Sequence, residues 1–158
     1  MNSLVAPVVA CAALITVGCT ENDRPAPAFQ PKRMTNGVPL ALDDELQNRK
    51  DGKWYWRDTT NLFTGIELLH HTNGVLKLKL PFTNGVPHGH RIMWHPNGQK
   101  ESEGDYVAGQ RSGLWKLWHP NGNLDKQGTF VNNKPDGLQV FWHTNGVKSL
   151  EWDHKEGY

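Results

Sequence analysis

Cysteine is nearly absent from this sequence. Of 158 residues only Cys11 and Cys19 are cysteines, both close to the N-terminus. Downstream of them no disulfide, thiolate nucleophile or cysteine-ligated metal can form. Charge excess is absent too: 17 Lys and Arg stand against 16 Asp and Glu, for a net charge of +1. Nucleic-acid binders carry a positive footprint that this chain lacks, so that partner class is set aside. No apolar run reaches the roughly 20 residues of a membrane-spanning helix. Signatures of catalysis are missing as well: there is no Gly-x-Ser-x-Gly, no phosphate loop and no His-Glu-x-x-His. What the chain does have is seven Trp, 16 Gly and 10 Pro, too aromatic for disorder throughout and rich in turn formers.

Residues 1–20 contain no Asp, Glu, Lys or Arg, and the stretch from Leu4 to Val17 is mostly apolar. That suits the apolar region of a secretory signal. It ends at Thr16-Val17-Gly18-Cys19, followed by polar Thr20-Glu21-Asn22-Asp23. The pattern resembles a bacterial lipoprotein signal, in which the cysteine is lipidated and becomes the mature N-terminus; a thiolate is the nucleophile that takes the lipid. It departs from that pattern in having Thr16 where Leu is usual and no Lys or Arg before the apolar run. An uncleaved anchor or an ordinary signal peptide is the alternative. The expectation is a signal peptide over 1–18, lipidation at Cys19, and a bacterial envelope address facing periplasm or exterior. Residues 19–51, with Pro25, Pro27, Pro31 and Pro39, read as a flexible tether reaching roughly 30 Å. The folded domain is expected over 52–158.

The strongest signal is a repeat. His71-Thr72-Asn73-Gly74, His95-Pro96-Asn97-Gly98, His119-Pro120-Asn121-Gly122 and His143-Thr144-Asn145-Gly146 recur every 24 residues. Gly65, Gly89, Gly113 and Gly137 keep the interval, as do Trp94, Trp118 and Trp142, the aromatics Phe82, Tyr106 and Phe130, and Gly104 with Gly128. A fixed period of this length marks a repeat architecture. The Asn-Gly pairs sit between short apolar runs, which predicts hairpin turns. A second turn in each unit falls at Asn84-Gly85, Gly109 or Asn132-Asn133. The reading is all-β: antiparallel hairpins in units of about 65–88, 89–112, 113–136 and 137–158, forming an elongated twisted single sheet. Trp54–Arg57 would give its first edge strand, and Val147–Trp152 its last. Asn36-Gly37 lies two periods before Asn84-Gly85 but is not counted as a repeat.

The recurring pattern runs aromatic-x-x-Gly or Asn, three residues, Gly, an apolar strand and x-Asn-Gly. It appears as Phe82-Thr83-Asn84-Gly85 to Gly89 and as Tyr106-Val107-Ala108-Gly109 to Gly113. It resembles the variant MORN repeat of bacterial proteins labelled YwqK-like antitoxins. The third unit departs in having Asn133 where Gly is usual. The resemblance covers about 52–158. It implies a sheet used as an interaction surface, with no reaction attached.

Trp94, Trp118, Trp142, Trp115, Tyr106 and Phe130 are the candidate binding face, although neighbouring hairpins could use the same rings simply to pack together. The turn residues Asn73, Gly74, Asn97, Gly98, Asn121, Gly122, Asn145 and Gly146 are structural. The histidines recur at about 10 Å, too far apart to share an ion held by bonds of about 2 Å. They are read as bonding within their own turns. No metal or other cofactor is expected. The preferred function is non-catalytic binding of a protein or surface polymer at the envelope, with the membrane reached through the N-terminal lipid. Neutralisation of a partner toxin is the alternative, and a metal-dependent hydrolase is a third.

Overall fold

Turn chemistry sets the path of most of the chain. In the computed structural model residues 33–42 and 44–154 are described. Segment 1–18, Cys19 and the start of the expected tether lie outside them. Among the described residues there is no helix, and hence none long and apolar enough to cross a membrane. The strands are β1 (Met34–Thr35), β2 (Val38–Leu42), β3 (Leu46–Asn48), β4 (Trp54–Trp56), β5 (Gly65–His70), β6 (Leu76–Thr83), β7 (Val86–Pro87), β8 (Gly89–Trp94), β9 (Lys100–Val107), β10 (Gln110–Trp118), β11 (Leu124–Val131), β12 (Lys134–Trp142) and β13 (Lys148–His154). One eleven-stranded sheet has the order β1-β2-β5-β6-β8-β9-β10-β11-β12-β13, with β7 beside β6. From β5 to β13 every pairing is antiparallel, as hairpin repeats require.

Each His-x-Asn-Gly turn closes with the Gly amide donating to the His carbonyl, as from Gly98 to His95 at 2.9 Å. The Asn side chain accepts from the amide two residues on, as Asn97 does from Gln99 at 3.0 Å. Gly98 takes φ +83°, the left-handed residue that follows a type I turn. The ladder slips by one residue beside it, where Met93 pairs with Ser102 but Trp94 with Lys100. At the opposite end the turns are two-residue, with both positions left-handed at Asn84-Gly85, Ala108-Gly109 and Asn132-Asn133. Asn133 holds φ +69°, a conformation its short polar side chain tolerates.

Successive turns are stapled to one another. Nε2 of His71, His95 and His119 donates to the carbonyls of Trp94, Trp118 and Trp142 at 2.7, 2.8 and 3.1 Å. A carbonyl only accepts, so that contact fixes the ring nitrogen carrying the hydrogen. Asn73, Asn97 and Asn121 donate to the carbonyls of Pro96, Pro120 and Thr144 at 2.8, 2.7 and 2.6 Å. The histidines therefore bond forward to the next repeat, not within their own turns as the sequence reading had it. Among the described residues no three His, Cys, Asp or Glu side chains are grouped to hold a metal ion. Asn145 makes the turn bond to Val147 but, among the described residues, donates to no carbonyl of a later turn. Urea denaturation should therefore show Asn97→Ala costing about 0.5–1.5 kcal/mol more than Asn145→Ala, the worth of one hydrogen bond. Equal losses would mean that the forward bond contributes nothing.

The N-terminal portion differs from expectation in three ways. Strands begin at Met34, inside the segment read as tether, because Ala41 and Leu46 are buried in a core with Trp56, Phe63 and Phe82. The Asn36-Gly37 turn has φ +49° and +77°, like Asn84-Gly85. The strand after it, β2, nevertheless pairs in parallel with β5, Leu40 opposite Ile66 and Leu42 opposite Leu68. Trp54–Trp56 is not the first edge of the array; it pairs with β3 in a separate two-stranded sheet. Trp56 meets Phe63 edge-on at 5.0 Å, and Phe63 meets Phe82 at 5.5 Å. The excursion between β2 and β5 thus covers one face of the first hairpin.

Candidate functional site

The face that Phe63 covers at one end continues uncovered along the later hairpins. Strand alternation sets side chains two apart on the same side. Register then aligns Leu69, Leu78, Met93, Ser102, Leu117, Lys126, Phe141 and Leu150 in one row across the sheet. The neighbouring row holds Arg91 and Gly104, Trp115 and Gly128, then Gln139 and Trp152. A third row carries Phe82, Tyr106 and Phe130.

Positions 67, 91, 115 and 139 are equivalent by the 24-residue period, and their occupants differ: Glu67, Arg91, Trp115 and Gln139. Trp115 is buried because Gly104 makes room for its ring. A Cβ on Gly104 would lie 2.3–2.6 Å from three atoms of the indole. Gly128 makes room in the same way for the amide of Gln139, which is only 1% exposed and donates to the Thr129 carbonyl at 3.0 Å. One period upstream the glycine position is Leu80, so no recess is open beneath Arg91. Its guanidinium instead donates to Ser102 Oγ at 3.0 Å and contacts Met93 Sδ.

A cleft of about 340 Å³ results, lined by Arg91, Met93, Glu101, Ser102, Tyr106, Arg111, Trp115 and Leu117. Tyr106 meets Trp115 edge-on at 5.3 Å, and Phe130 meets it at 6.3 Å. The guanidinium carbons of Arg91 and Arg111 lie 5.7 and 5.8 Å from the centre of the Trp115 ring, and Arg111 lies 4.3 Å from that of Phe130. These are cation–π distances. Burial pushes Arg91 below the usual guanidinium value, and the Arg111 charge acts in the same direction; Tyr106 and Glu101 oppose it. Trp115 Nε1 is buried without a hydrogen-bond partner.

Residues 87–108 and 111–132 each match the family described as MORN repeat variant. No curated protein matches the chain. The two matched segments meet at the cleft: Arg91, Met93, Ser102 and Tyr106 come from the first, Arg111, Trp115 and Leu117 from the second. Repeats of this type are generally associated with protein and membrane binding and are typically non-enzymatic.

The six aromatics grouped as the candidate binding face divide between the two faces of the sheet. Trp115, Tyr106 and Phe130 line or back the cleft. Trp94, Trp118 and Trp142 each follow a residue of the cleft-side row and so point to the opposite face. They are half-buried there, with Lys100 Nζ 5.2 Å from the Trp118 ring. Their carbonyls carry the histidine staples, and the candidate turn residues Asn73 to Gly146 lie at the end of the hairpins. Sequence reasoning missed Arg91 and Arg111. The signal was available: Arg91 alternates with Met93 onto the apolar face and replaces the Trp115 of the next unit.

Proposed function

We propose that this chain is a non-catalytic binding module of the bacterial envelope, held by a lipid on Cys19 and engaging another protein through the cleft between two MORN repeats. The observation that carries this reading is the composition of that recess. Arg, Trp and Tyr are the residue types that dominate interface energetics, and here they converge on one sheet face with apolar Met93 and Leu117 beside them. The envelope address draws its support from the apolar stretch ending at Cys19 and the polar residues that follow it.

Capture from solubilised envelope fractions tests the reading, with two variants that each retain the wild-type circular dichroism and melting curve. Tyr106→Ala/Leu117→Ala, on the cleft face, should reduce recovery of a specific partner roughly tenfold, the scale of losing one interface anchor. Trp94→Ala/Trp118→Ala/Trp142→Ala, on the opposite face, should leave recovery unchanged. The reverse result would move the binding surface to the tryptophan stripe and end this proposal.

A further inference from the structure

We infer that the cleft is a carboxylate receptor, and that it takes a single Asp or Glu side chain flanked by apolar residues on a partner protein. The inference rests on the binding role proposed above and specifies its ligand.

Charge is the first reason. Arg91 and Arg111 face the same indole, and neither forms an ion pair among the described residues. The one acid lining the cleft, Glu101, has its Oε2 4.0 Å from His95 Nδ1. Arg91 is held in place by Ser102, while the Arg111 side chain makes no hydrogen bond among the described residues. Two partly desolvated cations that repel each other gain from an anion placed between them. Guanidinium groups lying against aromatic rings still direct N–H groups outward, and these match both oxygens of a carboxylate.

Number is the second reason, and it separates a carboxylate from a polyanion. A membrane surface or an acidic polymer is recognised by repeated cations, for lipid by clusters of about 4–8 Lys and Arg. This array had the means to repeat its cations and does not. Positions equivalent to Arg91 hold Glu67, Trp115 and Gln139, and those equivalent to Arg111 hold Pro87 and Pro135. Only one repeat boundary carries the pair, in a chain of net charge +1. The lining of Met93, Leu117, Tyr106 and Trp115 accounts for the apolar residues beside the acid, and 340 Å³ lies at the small end of ligand clefts.

The test uses two probes, acetyl-Leu-Glu-Leu-amide and its Gln counterpart, titrated into the isotope-labelled protein and followed by NMR. The Glu peptide should shift the side-chain N–H signals of Arg91, Arg111 and Trp115, with an affinity roughly tenfold above that of the Gln peptide. Arg91→Gln and Arg111→Gln should each remove about that tenfold advantage. Lys134→Gln, an equal charge change at an exposed site on β12, should not. Equal binding of both peptides, or an equal loss in Lys134→Gln, would overturn the inference. So would stronger competition at these signals from phosphatidylglycerol vesicles or polygalacturonate than from the Glu peptide. A specific partner that binds Arg91→Gln/Arg111→Gln normally but not Tyr106→Ala/Leu117→Ala would refute the carboxylate while leaving the binding role intact.

Discussion

Phe63→Ala is expected to lose about 3–5 kcal/mol of stability, the cost of deleting a buried aromatic side chain. Phe63 is fully buried and is flanked by Trp56 and Phe82. Its backbone ties the same region together, with its amide donating to the Trp54 carbonyl at 3.0 Å and its carbonyl accepting from Gly85 at 2.7 Å. Removing the ring opens a cavity at the one place where three pieces meet: the β2 strand, the β3–β4 hairpin and the first repeat. Against a total of about 5–15 kcal/mol for a typical domain, such a loss would unfold a large fraction of the protein near physiological temperature. Urea titration measures it directly. Hydrogen exchange should show the amides of β3 and β4 losing protection before those of β9 to β11. A loss below about 1 kcal/mol, the range of ordinary surface changes, would show that this cluster does not anchor the N-terminal portion.

Gly104→Ala tests the cleft from beneath. The added methyl would sit within 2.6 Å of the Trp115 ring. The Gly104 backbone cannot retreat easily, because β9 is paired on both sides, with β8 and β10. The indole must therefore shift, at a cost of about 1–3 kcal/mol, the usual scale of overpacking. Combining Gly104→Ala with Trp115→Leu should recover at least about 1 kcal/mol relative to the sum of the single changes, since the residues are in contact. Additive losses would mean that the clash is relieved elsewhere. Because Arg91 and Arg111 both lie against that ring, Gly104→Ala should also weaken peptide binding, although residue 104 would touch no ligand.

Much of this architecture was legible in the sequence, and the parts that were not failed for physical reasons. The period and the Asn-Gly turns could be read because left-handed positions accept few residues, and those residues recur at fixed spacing. The Gly104 and Gly128 recesses were visible only as a periodic pair; that one lodges an indole and the other an amide depends on Trp115 and Gln139 across the sheet. The strands at 34–48 were obscured because their apolar residues are few. Ala41 and Leu46 count for little in composition yet complete a core supplied mostly by distant residues. Trp54–Trp56 has the makings of an edge strand, but the long-range parallel pairing of β2 with β5 takes that edge first. Arg91 and Arg111 escaped notice because they interrupt the periodicity, and a search tuned to recurrence discards the positions where units differ.

The forward-pointing His and Asn bonds carry a consequence for how such a protein changes size. Each of the three junctions between His-x-Asn-Gly turns uses the same His and Asn donors, carbonyls at the same positions and the same offset. A duplicated 24-residue block inserted between existing turns would present to each neighbour what that neighbour already meets, leaving no new polar group stranded. Lengthening or shortening the array is therefore a change in copy number, while recognition is written separately in the few positions where one copy differs from the next.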